Sequence, residues 1–127
     1  MPAEMSLICA SHNGQPEHVD AVRRLLDRFE IPVELLSCGP QWSGDQPTMI
    51  DQTRTIDTPG RMHNNCSGKH AGMLVLSRCL GHDPKGYAAL THPVQQAILG
   101  TLEAMVGIDL MAHPHGLDGC GAPALSA

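Results

Sequence analysis

The apolar residues between Glu17 and Phe29 recur with the period of an α-helix. They fall at positions i, i+3, i+4 and i+7 while the opposite side is charged, and the apolar set is Val22, Leu25, Leu26 and Phe29. This spacing predicts an amphipathic helix with one buried face. Pro32 ends it, because proline lacks the N–H donor that a longer helix requires.

Two later segments also show helical spacing. A polar stretch leads into the first, whose predicted apolar face consists of Leu74, Val75, Leu76, Cys79 and Leu80. Gly81 follows where a helix C-terminal glycine belongs. The second begins with Pro93 at the first helical position, where proline is favoured, and extends to Gly107. Its predicted face consists of Val94, Ile98, Leu102 and Met105.

The remaining segments are predicted to be shorter or irregular. Residues 6–10 have the apolar content of a short strand or buried extended segment, and residues 11–14 form the turn that ends it. Residues 38–60 are rich in Gly, Pro, Ser, Thr and Asp, which predicts a long ordered loop with a short helix near residues 48–53. Together the elements predict one α+β domain of mixed α/β type over residues 1–127, with no internal boundary.

Charge and cysteine content restrict the classes of function. The chain has 127 residues, with 8 Lys and Arg against 13 Asp and Glu, and its formal charge of −5 disfavours nucleic acid and anionic membranes as partners. Its sequence has no long apolar run and no signal-like start, so we expect a cytoplasmic protein. Five cysteines are an odd number, which favours reduced thiols over a disulfide framework.

Reactive side chains are concentrated between Cys66 and His70. A thiol, a hydroxyl, an amine and an imidazole occur within five consecutive residues, in the first turn of a predicted helix. The unpaired N–H groups of such a turn favour anions, thiolates included. Cys66 and Lys69 are three residues apart and therefore share a helical face. A metal held by both requires the lysine to lose its proton, although an unperturbed lysine titrates at about 10.4.

Three further residues each allow two interpretations. Cys120 lies in a glycine-bracketed loop and could join Cys66 as a zinc ligand, or both could be idle thiols, since the sequence has no CxxC pair. Ser11 lies in a sharp turn, which suits either a nucleophilic serine or an ordinary turn serine. Asp118 could orient a ligand, accept a substrate amine or simply stabilise a turn.

Several of these segments, taken in order, resemble a known family. They are residues 8–14 (ICASHNG), 38–40 (CGP), 63–73 (HNNCSGKHAGM), 81–87 (GHDPKGY), 92–96 (HPVQQ) and 118–123 (DGCGAP). Their content and order resemble the bacterial L-asparaginase II family of the Rhizobium etli type. The block at residues 64–73 is the most specific part of the resemblance.

The resemblance implies a fold similar to serine β-lactamases and glutaminases, and hydrolysis of L-asparagine to L-aspartate and ammonia. It assigns the second active serine of the family to Ser11, and a histidine and an aspartate near metal and substrate to His70 and Asp118. It also implies a bound zinc ion, with the ligands Cys66, Lys69 and Cys120. For the full-length protein we expect a homodimer.

The family's other catalytic groups fall outside this sequence. Its Ser-x-x-Lys nucleophile pair lies upstream of the segment that begins here, and the lysine that partners the second serine lies downstream of Ala127. We therefore expect a central fragment of the enzyme, truncated at both ends, with little or no activity of its own. Two alternatives remain, which are a non-catalytic zinc-binding module and a penicillin-binding-type acyl enzyme.

Overall fold

The fold combines several helices with one small sheet. The computed structural model describes residues 2–125. Within that range the α-helices are α1 (Pro2–Cys9), α2 (Pro16–Arg28), α3 (Gln46–Thr55), α4 (Ser67–Cys79) and α5 (Pro93–Val106). Short 3₁₀ turns occur at Val33–Leu35, Arg61–His63 and Leu110–Ala112. Two strands, β1 (Gly116–Leu117) and β2 (Pro123–Ala124), pair antiparallel with Gly116 opposite Ala124. The prediction of a mixed α+β fold is confirmed.

The chain divides into two compact units. Unit 1 is Met1–Val75 and unit 2 is Leu76–Ala127. Unit 1 therefore contains α1, α2, α3 and the beginning of α4, while unit 2 contains α5 and the β1–β2 hairpin. A single domain over residues 1–127 stays a prediction.

Helix α2 contributes more buried apolar residues to unit 1 than any other described helix, as its spacing predicts. Val22, Leu25 and Leu26 are buried, whereas Arg23 and Arg24 on the opposite face are exposed. The helix begins with Pro16 at its first position, and its charged face leaves long side chains in water. It ends before Pro32, which also agrees with the prediction.

Helix α1 contradicts the strand predicted for residues 6–10. The whole of Pro2–Cys9 is helical, and Leu7 is its buried residue. Periodicity does not separate a short strand from a buried helical turn when the apolar run is this brief. Pro2 and Glu4 in the first turn are helix-start signals that outweigh the β-propensity of Ile8.

Helix α4 approaches α1 closely because two of its residues lack side chains. A Cβ on Gly68 would lie 2.5 Å from the Leu7 carbonyl oxygen, and a Cβ on Gly72 would lie 2.6 Å from Ile8 Cγ2. Contacts this short do not occur between real Cβ atoms and their neighbours, so a larger residue at Gly68 would have to displace backbone, and one at Gly72 would have to displace the Ile8 side chain. The carboxyl end of α1 is thereby held against the first turn of α4.

The buried face of α4 differs from the predicted one. Leu74 is buried as expected, but Cys79 and Leu80 are exposed. The buried residues follow a helical period and, apart from Leu74, are small or polar, namely Ser67, His70, Ala71, Leu74 and Ser77. Counting apolar residues missed this face because small side chains permit the close approach of α1 and the polar ones are hydrogen-bonded.

The predicted end of α4 at Gly81 is confirmed. Gly81 has a φ of 76°, in the left-handed region that favours glycine. The His82 N–H donates to the Ser77 carbonyl at 3.0 Å, and the Gly81 N–H donates to the Arg78 carbonyl at 3.1 Å. This pair of bonds is a Schellman motif, which satisfies carbonyls that the last helical turn would otherwise leave unpaired.

Residues 38–60 are ordered by side chains that bond to backbone. The predicted short helix is present as α3, somewhat longer than expected. Asp45 caps it, accepting the Thr48 N–H at 3.1 Å and the Thr48 hydroxyl at 2.6 Å, and these bonds lower the pKa of the Asp45 carboxyl. Gln52, which is buried, accepts the Ser43 N–H at 3.0 Å.

In unit 2, helix α5 has the predicted ends but not the whole of the predicted face. Pro93 occupies the first turn and Gly107 ends the helix with a φ of 74°. Val94 is buried, whereas Met105 is 77% exposed, and Gln95 and Leu99 are buried instead. The Gln95 side chain donates to the Tyr87 carbonyl at 2.9 Å, so a polar residue occupies a core position with its hydrogen bond satisfied.

Among residues 2–125, no helix is both long enough and apolar enough to cross a lipid bilayer.

Replacing Gly68 by alanine should destabilise the protein, since the new methyl group would meet the Leu7 carbonyl. We expect a loss of about 1–3 kcal/mol in the free energy of unfolding, measured as a lower thermal midpoint. Gly100→Ala is the matched control, because Gly100 lies within α5 and its new Cβ would meet no other segment of residues 2–125 within 4 Å. It should gain up to about 1 kcal/mol from helix propensity. Equal effects of the two substitutions would contradict the close approach of α1 and α4.

Candidate functional site

A small pocket in unit 1 brings together three residues that the sequence singled out. Its volume is about 150 Å³, and Ser11, Cys66 and Lys69 all line it. The predicted catalytic serine therefore shares a cavity with two of the three predicted metal ligands. Ser11 lies 55 residues or more from the other two along the chain, so tertiary structure rather than local spacing unites them.

Cys66 occupies the N-terminal cap of α4. Its carbonyl accepts the His70 N–H at 3.1 Å, which is the first bond of the helix, and its own N–H donates to Asn64 Oδ1 at 2.9 Å. The thiol thus stands at the helix N-terminus, where unpaired N–H groups favour negative charge. Lys69, one turn further on, is half-buried. The predicted position of both residues in the first turn is confirmed by these bounds.

Ser11 is exposed and lies two residues after the end of α1. The residues after it are fixed by hydrogen bonds to other parts of unit 1. The Asn13 carbonyl accepts the Ser43 hydroxyl at 2.6 Å and the Gly44 N–H at 2.9 Å, and the Gly14 carbonyl accepts the Gln52 side-chain amide at 3.2 Å. Ser11 is therefore presented at the edge of a rigid segment.

His12, next to Ser11, is the most constrained polar residue of this segment. Its ring is buried, its Nε2 lies 2.8 Å from Ser67 Oγ, and its Nδ1 accepts the Gly14 N–H at 3.0 Å. Its backbone N–H donates to the Asn65 carbonyl at 3.1 Å. His12 thus connects residues 11–14, the Ser11 segment, to the residues on both sides of Cys66.

Burial holds the His12 ring neutral. Loss of solvent lowers the pKa of the imidazole from its usual 6.5 to about 4, and the nearby His18 ring contributes in the same direction. The two ring centroids are 5.2 Å apart, so a charge on one ring disfavours a charge on the other. A neutral ring is also what the Gly14 hydrogen bond requires, since Nδ1 accepts only when it carries no proton.

A second pair of possible metal ligands lies deeper in unit 1. Cys38 and His70 are both buried, and a ring nitrogen of His70 lies within 4.8 Å of Cys38 Sγ. The Arg61 guanidinium fixes the Cys38 segment by donating to the Leu36 and Cys38 carbonyls at 2.8 and 2.9 Å. The sequence predicted a metal- or substrate-related role for His70 but treated Cys38 only as part of a turn.

Unit 2 contains Cys120 and Asp118. One oxygen of the Asp118 carboxylate accepts the Cys120 N–H at 2.8 Å and the Ala122 N–H at 2.9 Å. The Asp118 N–H donates to the Ala122 carbonyl at 2.8 Å, which closes the loop between β1 and β2. Asp118 therefore shapes the loop that carries Cys120, in agreement with the interpretation of a turn-stabilising aspartate.

Each unit contains donor types that suit zinc. Unit 1 has the buried Cys38 and His70, and unit 2 has Cys120. Thiolate sulfur and imidazole nitrogen are donors that zinc prefers. Cys66 and Lys69 add a thiol and an amine at the surface pocket of unit 1. Cys9 is exposed and lines the same pocket as Cys66, whereas Cys79 is exposed and belongs to neither group of donors.

Sequence reasoning missed three residues of this region. His12 and Ser67 were noted only as parts of their segments, and no local spacing links residues 55 apart. Cys38 was also missed, since no CxxC pair or other metal-ligand spacing marks it. The resemblance assigned roles to Ser11, Cys66 and Lys69, and the pocket that they share came from the structure.

The neutral His12 ring makes the stability of the protein depend on pH. Above about pH 6.5 the ring is neutral in both folded and unfolded chains, and its contribution is fully present. As the pH falls from 6.5 towards 4, the unfolded chain binds the proton first, so the free energy of unfolding decreases. Between pH 7 and pH 5 we expect a loss on the order of 1 kcal/mol from this residue.

Urea unfolding of the protein and of His12→Gln at both pH values measures this loss. The variant lacks the titrating ring and should lose less stability on acidification than the unchanged protein. Parallel losses in the two proteins would show that His12 does not carry the effect.

Comparison with known proteins identifies the family of the chain. No curated protein matches the chain. A family model described as L-asparaginase II matches residues 1–127, which is the whole chain. A match of this extent, on a chain that gathers Ser11, Cys66 and Lys69 in one pocket, identifies the protein as a member of the L-asparaginase II family.

Proposed function

We propose that the full-length protein that carries this chain hydrolyses L-asparagine to L-aspartate and ammonia by acyl transfer from a serine. The observation that carries the proposal is the pocket shared by Ser11, Cys66 and Lys69. Membership in the L-asparaginase II family supports asparagine hydrolysis as the reaction. The substrate is a small molecule, and a pocket of about 150 Å³ is of a size to receive its side-chain amide.

In the proposed reaction, a serine hydroxyl gives its proton to a neutral amine and attacks the side-chain amide carbon of asparagine. The new C–O bond forms as the C–N bond breaks, and the departing nitrogen takes up a proton to leave as ammonia. Water then hydrolyses the ester and releases aspartate. Ser11 attacks or relays the proton, and the resemblance assigns the paired lysines to positions outside residues 1–127.

The zinc ion, as proposed, is held by Cys66, Lys69 and Cys120. When bound, the ion would supply a Lewis acid to which the α-carboxylate of the substrate, or its α-amine in the neutral form, could bind. The cap position of Cys66 supports this assignment, because the helix N-terminus favours the thiolate that zinc requires. Lys69 must bind as the neutral amine, and metal binding releases its proton. The alternative donors in unit 1 are the buried Cys38 and His70.

Replacing Ser11 by alanine in the full-length protein should lower kcat by about 10²–10⁴-fold, because the variant lacks the hydroxyl that attacks or relays the proton. Ammonia release from L-asparagine measures the effect. Ser6→Ala is the matched control, since Ser6 is exposed on α1 and its hydroxyl donates to the Pro2 carbonyl. Unchanged kcat in the Ser11 variant would show that the Ser11 hydroxyl takes no part in the reaction. A full-length protein that binds zinc but releases no ammonia would support a zinc-binding module instead.

Zinc content should separate the two ligand sets. We expect about one zinc per chain in the full-length protein, lost in Cys66→Ser and Cys120→Ser and retained in the exposed control Cys79→Ser. Retention in Cys66→Ser with loss in Cys38→Ser would assign the ion to the buried donors. If zinc positions substrate, Cys66→Ala should raise KM more than it lowers kcat, and the reverse pattern would favour a metal-bound hydroxide.

A further inference from the structure

His12 has no role in the reaction proposed above, although it adjoins the serine of the pocket. It is 6% exposed, and both ring nitrogens have hydrogen-bond partners within unit 1. Because both ring nitrogens are bonded to groups other than Ser11, His12 can affect that serine only by fixing the position of the backbone around it.

The hydrogen bonds around His12 have only one consistent orientation. The Gly14 N–H can only donate, so His12 Nδ1 accepts and the proton of the neutral ring lies on Nε2. Nε2 therefore donates to Ser67 Oγ at 2.8 Å. The Ser67 hydroxyl then donates to the Met62 carbonyl at 2.8 Å. The result is a series of hydrogen bonds that runs from His12 through Ser67, the first residue of α4, to Met62 in the 3₁₀ turn before it.

This series joins the two sides of the pocket. Ser11 belongs to one side, and the other is formed by Asn65, Cys66 and Lys69. Ser67, the residue that His12 holds, directly follows Cys66 and is fully buried. A shift of the His12 ring would therefore change the position of Ser11 relative to Cys66 and Lys69. The backbone bond from His12 N–H to the Asn65 carbonyl fixes the same two segments at a second point.

We propose that His12, through its Nε2–H hydrogen bond to Ser67, is a positioning residue that sets the location of Ser11 against Cys66 and Lys69. The inference rests on the proposed function for its kinetic consequence. It does not make His12 a proton acceptor in the reaction, because both nitrogens are occupied by structural bonds. Ser67 accepts this hydrogen bond, so replacing Ser67 should displace Ser11 in the same way.

Two substitutions of His12 remove one hydrogen bond each and are therefore matched. In His12→Asn, the amide oxygen replaces Nδ1 and still accepts the Gly14 N–H, but nothing donates to Ser67. In His12→Gln, the amide nitrogen replaces Nε2 and still donates to Ser67, but the Gly14 bond is lost. A merely structural histidine predicts similar losses for both variants. A positioning histidine predicts that only His12→Asn resembles Ser67→Ala.

The kinetic experiment measures ammonia release from L-asparagine by the full-length protein and these three variants. We expect kcat to fall about 10-fold or more in His12→Asn and Ser67→Ala, with KM changed less than about threefold, because displacement of a reacting group affects the reaction more than binding. His12→Gln should retain more of kcat. The double variant His12→Asn/Ser67→Ala should lose no more than Ser67→Ala alone, since Ser67→Ala already removes the bond that His12→Asn removes. Equal kcat values for His12→Asn and His12→Gln would overturn the proposal.

Amide hydrogen exchange tests the same role of the His12–Ser67 hydrogen bond independently of catalytic activity. In His12→Asn and Ser67→Ala, exchange should become faster at residues 11–14 and 65–67 and stay unchanged in α2. Faster exchange throughout unit 1, α2 included, would show a general structural role and overturn the proposal. If the full-length protein releases no ammonia at all, the proposed function fails, and the exchange comparison still decides whether His12 and Ser67 hold the Ser11 segment in place.

His18→Asn is the control for changing a neighbouring histidine. The His18 ring lies beside that of His12, and its Nδ1 accepts the Gln15 N–H at 3.3 Å at the start of α2. Asparagine preserves that acceptor, and the bond to Ser67 comes from His12. We expect kcat and the exchange of residues 11–14 to match those of the unchanged protein. A loss of kcat equal to that of His12→Asn would overturn the assignment to His12.

Discussion

The close approach of α1 to the first turn of α4 is the constraint on which the site depends. The Leu7 carbonyl occupies the space that a side chain on Gly68 would need. Because the two backbones meet there, the residues that follow α1 lie beside the residues that open α4. Ser11 thus reaches Cys66 and Lys69 without any long loop. The hydrogen bonds of His12 then fix the remaining freedom between the two segments.

Helices of this chain could be predicted from sequence more reliably than the faces they bury. The spacing of Val22, Leu25 and Leu26 gave both the existence and the face of α2. Gly81 predicted where α4 ends, and Pro93 predicted where α5 begins. Which of their residues are buried depends on tertiary contacts, and a count of apolar residues does not include these contacts. Helix α1 was predicted as a strand because eight residues are too few for periodicity to discriminate.

The site itself was predictable only as far as a resemblance could carry it. Cys66 and Lys69 share a helical turn, and their association follows from local geometry. The addition of Ser11 required knowledge of a family, because its partners are distant in sequence. The bond between His12 and Ser67 and the pairing of Cys38 with His70 depend on tertiary packing. No composition or spacing rule contains that information.

The hydrogen bond from Ser43 to Asn13 has an optical consequence. Trp42, the one tryptophan of this sequence, directly precedes Ser43 and is half-buried. Ser43 holds the carbonyl of Asn13, two residues after Ser11. An indole next to residues 11–14 senses the polarity and rigidity of its surroundings. Emission from Trp42 is therefore a built-in reporter on the order of the Ser11 segment, which requires no label.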